Sequence, residues 1–351
     1  MLKDHYFVHC RRSRVLDNRS LLFFLLIGFV LIVSGCGGDH GSGGDDDWVI
    51  AEPEAEGLST AALELAAARV ANLQKRYCFT IVKNGKLVYD TSYGDVSNLV
   101  YEPYSASKSF MAVLVGIAEY QGYLSVDDRV SDWLDEFPEN MHEDATIKHV
   151  LAHTAKGELG AEFGYNSGPV VRSLGKIVTA ATGMPSRQFA DKAFFGPLNI
   201  QYSRWRTDAD GNVDAASGMD TSCREMAKIG QLLLDEGQWQ GERLLSTEFI
   251  YDMTHPPYPE VNRNYGYLTW LNWEDEKWVR PLGTGTGRML KRAPANVYMA
   301  TGFFGQLMIV IPDANMVVTT MGLTFQVETL NTLQRVWDII LPLTEPNTVI
   351  E

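Results

Sequence analysis

The sequence predicts an α+β fold of two lobes, with an antiparallel sheet assembled from both ends of the domain and flanked by the terminal helices, and a mostly helical lobe between. Three observations predict it. A strand–turn–strand pattern lies near residue 80, four strand-like runs cluster beyond residue 264, and residues from about 124 to 255 carry mainly helical periodicity. Two N-terminal strands cannot hide a face alone, so the economical arrangement joins them to the C-terminal strands in one sheet. A cleft between the lobes is where a site is expected.

In chain order, Lys3, Arg11, Arg12, Arg14 and Arg19 precede the thirteen-residue apolar run LLFFLLIGFVLIV at 21–33. Such a run is short for a membrane span and fits the apolar region of a signal peptide. It ends in Val33-Ser34-Gly35-Cys36, which resembles a bacterial lipobox; the resemblance implies removal of residues 1–35 and lipidation of Cys36. Gly37, rather than Asp, follows the cysteine, and by the same resemblance this favours the outer membrane, facing the periplasm. A transmembrane anchor is the alternative. Residues 36–56 read as a lipidated, flexible tether, with GGDHGSGGDDD at 37–47 repelling itself.

The remaining domain spans 57–345, with a sheet lobe at about 57–100 and 260–345 and a helical lobe at about 101–259. Ser59 caps a helix over 60–75. Strands Cys78–Lys83 and Lys86–Ser92 are joined by Asn84-Gly85, the strongest short hairpin signal. A strongly apolar helix at 107–121 stops at Gly122. Val170, Val171, Leu174, Ile177, Val178 and Ala181 share one helical face, and Gly183 ends it. Ser222 and Glu225 form a capping box for a helix running to Glu236. Strands follow at Tyr265–Leu271, Val297–Ala300, Gln306–Ile311 and Val317–Met321, then a last helix at 326–341 that Pro342 ends, with Val327, Leu330, Leu333, Trp337 and Ile340 inward.

Composition narrows the function. The chain of 351 residues is 45% hydrophobic and 21% charged, which excludes a disordered or collagen-like chain. Its 30 Lys+Arg against 44 Asp+Glu give a net charge of -14, and without a long basic cluster this argues against nucleic acid as a partner. Loss of residues 1–35 removes five basic and two acidic residues, leaving 25 against 42 and a net of -17. Anionic head groups repel such a surface, so membrane attachment would rest on the lipid alone.

No G-x-S-x-G elbow occurs. The alternative serine chemistry, S-x-x-K, occurs at Ser105–Lys108 and at Ser173–Lys176, where chance supplies about one match. Ser173 lies inside an amphipathic helix. Ser105 stands where an irregular segment enters an apolar helix, so unpaired N–H groups and the positive dipole end favour a developing oxyanion. Lys108, at i+3, shares its face, and a lysine buried there loses basicity and can act as a base. The bland reading is a capping serine beside a surface lysine.

Two further segments bear on the choice: Tyr165-Asn166-Ser167, and Ala300-Thr301-Gly302 within Tyr298-Met299-Ala300-Thr301-Gly302-Phe303-Phe304-Gly305-Gln306. The order S-x-x-K, Y-x-N/S and K-T-G, or its A-x-G variant, resembles the serine β-lactamase and penicillin-binding-protein superfamily over roughly residues 60–340. The 298–306 form is similar to the branch of 6-aminohexanoate-dimer hydrolases and related carboxylesterases. The resemblance implies a β-lactamase-like fold and a serine hydrolase working through an acyl-enzyme on a small ester, amide or peptide, with no metal or organic cofactor. It implies Ser105 as nucleophile, Lys108 and Tyr165 as the proton-transferring pair, and the backbone N–H groups of Ser105 and Phe303 as the oxyanion hole. Ser167, Ala300, Thr301 and Gly302 would line the substrate. Ser167 stands where many relatives carry Asn, and Ala300 where β-lactamases and D,D-peptidases carry a lysine that holds the substrate carboxylate.

Other patterns read as structural. His149 and His153 have a metal-like i, i+4 spacing but no intervening H-E-x-x-H glutamate. Gly283-Thr284-Gly285-Thr286-Gly287-Arg288 lacks a phosphate-loop frame and reads as a loop. Cys78 and Cys223 read as buried free thiols, with pairing in an oxidising periplasm as the alternative. Tyr265, Tyr267 and Trp270 read as core.

Overall fold

The computed structural model describes residues 48–93, 100–165, 168–280, 283–324 and 329–345. The expected signal peptide, Cys36 and residues 37–47 lie outside the described residues, as do Asn166, Ser167 and Val327.

Helix α1 (Thr60–Ala71) starts where the Ser59 hydroxyl accepts the Ala62 N–H. It is shorter than expected, because Lys75 turns the chain at φ 43° into β1 (Arg76–Lys83). Strand β2 (Lys86–Ser92) returns through Asn84 and Gly85, both at positive φ as a primed hairpin turn requires. A 3₁₀ turn, Tyr104–Ala106, leads into α2 (Ser107–Tyr120). Helix α3 (Pro169–Thr182) stops at Gly183 with φ 69°.

In α4 (Cys223–Leu234) only half of the expected capping box forms. Ser222 Oγ accepts the Glu225 N–H, but the Glu225 carboxylate takes the Gln201 and Tyr202 N–H groups and the Ser203 hydroxyl instead. The stretch expected to be mostly helical also contains two short ribbons, Arg204–Trp205 with Met219–Asp220 and Gln238–Trp239 with Glu242–Arg243. In the second, Gln240 and Gly241 at positive φ make a hairpin turn.

Strand β3 is only Trp270–Leu271; Gly266 N–H bonds Thr269 and Leu268 sits at φ 48°, so most of the expected 265–271 strand is a tight turn. Strands β4 (Tyr298–Gly302), β5 (Gln306–Ile311) and β6 (Met316–Gly322) follow. Helix α5 (Thr329–Thr344) runs through Pro342, which costs one hydrogen bond in its last turn and does not end it. Gly283–Gly285, expected as loop, is a strand paired with Trp278–Arg280.

The sheet order is β2-β1-β6-β5-β4-β3, antiparallel throughout, so N- and C-terminal strands meet at β1 and β6 as expected. Every residue of β5 and β6 is buried, so both faces of the sheet are covered. Phe79, Ile81, Leu307, Ile309 and Val318 pack with α1 and with Leu333, Trp337 and Ile340 of α5. The alternate positions Val82, Met308, Val310, Val317 and Met321 share a core with α2 and α4. Helix α4 lies so close that a Cβ on Gly230 would stand 2.5 Å from a Val317 methyl.

Two expectations are corrected here. Residues 48–56 are not tether: Trp48 is buried edge-on to Trp239, and Val49 and Ala51 bond the backbone of Leu87. Cys78 and Cys223 are a disulfide, with Cα atoms 6.1 Å apart, joining β1 to the first residue of α4. Two segments 145 residues apart meet because α4 lies on the sheet, a proximity invisible in the sequence.

Candidate active site

Ser105 sits in the 3₁₀ turn ahead of α2, half-buried, while Lys108 in the first turn of α2 is 1% exposed. Lys108 Nζ lies 3.2 Å from Ser105 Oγ and 2.8 Å from the Ala216 carbonyl oxygen, to which it donates. The other S-x-x-K serine, Ser173, gives its hydroxyl to the Val170 carbonyl within its own helix. Burial pushes the Lys108 ammonium down to about 7, with Asp214 opposing the shift and Arg172 adding to it. Such a lysine is part neutral near pH 7, next to a hydroxyl.

Asp214 and Ala216 carry no motif, and sequence reasoning missed both. The Asp214 carboxylate accepts the Ala216 N–H at 3.0 Å and an Arg172 N–H at 3.0 Å. It thereby shapes the turn whose Ala216 carbonyl holds Lys108 from 108 residues away. A carbonyl acts through backbone placement, so no residue type could have announced it.

The Tyr165 ring centroid is 5.0 Å from Lys108 Nζ, close enough for the ring face to attract the cation. Tyr165 stacks on Trp270 at 5.6 Å and meets Tyr265 edge-on at 6.1 Å. Tyr265, Tyr267 and Trp270 are buried, as expected of core residues, yet two of them also support the tyrosine.

His153 is a further member of the site. It is buried, its ring is 4.8 Å from Tyr165, and its carbonyl accepts the Gly164 N–H at 2.8 Å, one residue before Tyr165. Its backbone is left-handed, φ 58°, a conformation histidine tolerates better than most residues. Burial, with Lys108 and Lys156 adding to it, holds this imidazole well below its usual range and therefore neutral. His149 goes elsewhere: its ring stacks on Tyr258 and its Nδ1 meets Thr146. The helix that carries His149 ends at Leu151, so His153 falls beyond it and the i, i+4 spacing does not set the two on one helical face.

Ala300 is wholly buried and Thr301 nearly so, in register with Met308 and Leu307 of β5. Gly302 ends β4 against the serine's turn: a Cβ there would stand 1.9 Å from the Pro103 carbonyl oxygen and 3.3 Å from the Ala106 nitrogen. Only glycine permits that approach. It keeps the turn Phe303–Gly305 against the turn Tyr104–Ala106 that carries Ser105. Gln306 fixes this turn, donating to the Phe303 carbonyl at 3.0 Å while its own oxygen accepts the Gly322 N–H. The structure thus brings Ser105, Lys108 and Tyr165 together and sets Gly302 against the serine's turn, while Ser167 lies outside the described residues.

Fold and family define the class, a serine hydrolase. The chain belongs to the beta-lactamase family, whose model matches residues 68–329. No curated protein is significantly similar in sequence. Among solved structures, a protein from Bacillus anthracis assigned to the 6-aminohexanoate-dimer hydrolases is 15% identical, with TM-score 0.66, covering 85% of this chain and 87% of its own. A beta-lactamase from Mycobacterium bovis is 17% identical, with TM-score 0.62 and coverage of 81% and 99%. A family VIII carboxylesterase is 14% identical, with TM-score 0.63 and coverage of 83% and 98%. At these identities the likeness is one of fold, and it bears out the α+β, β-lactamase-like architecture expected from the sequence.

Proposed function

We propose that the protein hydrolyses ester or amide bonds of small, uncharged substrates through an acyl-enzyme on Ser105. The observation that carries this reading is the buried Lys108, its ammonium pushed down to about 7, at 3.2 Å from Ser105 Oγ. In the proposed reaction, Ser105 Oγ attacks the carbonyl carbon as its proton passes to the Lys108–Tyr165 pair. The pair then protonates the leaving alcohol or amine. The N–H groups of Ser105 and Phe303 stabilise the oxyanion, and water later releases the acid by the same steps in reverse. Lys108 and Tyr165 adjoin one another, so the base is assigned to the pair and not to either residue alone. Loss of one oxyanion donor costs about 10²–10³ in rate.

The absence of a cation at Ala300 argues for uncharged substrates. A charge-assisted hydrogen bond to a substrate carboxylate contributes about 1.5–3 kcal/mol, roughly ten- to a hundredfold in affinity. Fluorophosphonate labelling with mapping of the modified residue is expected to place the label on Ser105, and p-nitrophenyl acetate is expected to be hydrolysed with a higher kcat/KM than nitrocefin. A label on another serine would refute the site. A nitrocefin preference would promote a β-lactamase or D-alanyl-D-alanine peptidase. No label at all would favour a catalytically silent, peptide-binding lipoprotein.

The same reading places the protein at the cell envelope, facing the periplasm and held by lipid on Cys36, probing small molecules rather than nucleic acid. The Cys78–Cys223 disulfide supports it, since such bonds persist in oxidising compartments. Cys36→Ser is expected to abolish metabolic fatty-acid labelling of the protein; label that survives the substitution contradicts the anchor.

A further inference from the structure

Two bulky residues at the mouth of the site hold a backbone conformation that bulky residues avoid. Tyr104, immediately before Ser105, has φ 50°, and Phe304 has φ 62° and ψ 17°. For an aromatic residue this region is an outlier, and such outliers cluster at sites of function. Glycine would sit at either position without strain. The two rings meet edge-on, with centroids 5.2 Å apart. Phe303 lies 6.3 Å from Phe304 and is 47% exposed, so packing alone does not account for its ring. The approach of Gly302 to Pro103 and Ala106 keeps this aromatic turn against the turn that presents Ser105. The chemistry proposed above uses only the backbone of Phe303 and leaves all three rings without a role.

We propose that Tyr104, Phe303 and Phe304 form an aromatic shelf that binds an apolar group, aryl or branched alkyl, carried by the substrate beside the scissile carbonyl. The proposal rests on Ser105 being the nucleophile. An aromatic ring laid on the shelf loses water from both faces in contact and packs edge-on or offset against Phe303, whereas a methyl group covers too little area to gain.

The test is a comparison of kcat/KM ratios. On the acyl side the pair is p-nitrophenyl phenylacetate and p-nitrophenyl acetate; on the alcohol side it is benzyl acetate and ethyl acetate. Each ratio is measured in the wild type, in Phe303→Ala and in Phe303→Leu, so intrinsic reactivity cancels between proteins. The aryl preference on one side is expected to fall about tenfold in Phe303→Ala, with Phe303→Leu keeping most of it. Melting curves confirm that the variants are folded; the side chain is half in solvent, so little packing is lost. Ratios unchanged in Phe303→Ala on both sides overturn the shelf while leaving the hydrolase reading intact. Failure of the wild type to hydrolyse any of the esters, with Ser105 unlabelled, overturns both.

Discussion

Lys108→Ala is expected to lower the turnover of an activated ester by about 10²–10⁴, the contribution of a positioned general base. Ser105→Ala is expected to abolish it, and Tyr165→Phe, which keeps the ring against Trp270 and Lys108 but removes the hydroxyl, to lose most of the rate. The pH profile carries the same argument. Proton acceptance by the proposed pair needs Lys108 as the neutral amine, and burial brings its ammonium down to about 7, so acylation is expected to rise as pH increases through about 7 and to fade below it. Lys108→Arg separates a base from a counter-charge: guanidinium stays protonated at every accessible pH and is expected to restore nothing. Lys108→Met, close in volume, guards against loss of fold. Near-wild-type turnover in Lys108→Ala would reduce the S-x-x-K spacing to an accident.

Removing the disulfide is expected to have the largest effect on stability. With 145 residues between Cys78 and Cys223, the chain-entropy account gives about 5 kcal/mol, and native disulfides commonly contribute about 2–5 kcal/mol. For a domain of this size that corresponds to a fall of about 10 °C in the melting midpoint. Cys78→Ala/Cys223→Ala, scanned beside the wild type with and without reductant, measures it. A midpoint insensitive to both treatments would return the two cysteines to free thiols. The loss should reach the site as well, because α4 covers the sheet face whose core is shared with α2, the helix that carries Lys108.

Local pattern was enough for much of this protein. The Asn84-Gly85 hairpin, the Gly183 helix stop, and strands β4 to β6 follow from short apolar runs, turn chemistry and caps acting over a few residues. The three motifs were legible through their order along the chain, which resembles that of the family, because the S-x-x-K spacing alone occurs twice. Sequence reasoning stopped where a residue acts by way of the folded chain. It set Cys78 and Cys223 apart, read 265–271 as a strand, and had no reason to single out Ala216 or Asp214. It took His153 for half of a structural histidine pair, although its carbonyl holds the segment before Tyr165 and its ring lies on the tyrosine. Only tertiary contact decided these. A carbonyl, a thiol or a ring face has no periodicity of its own, and what it does depends on which distant segment is brought within a few ångströms of it when helix packs on sheet.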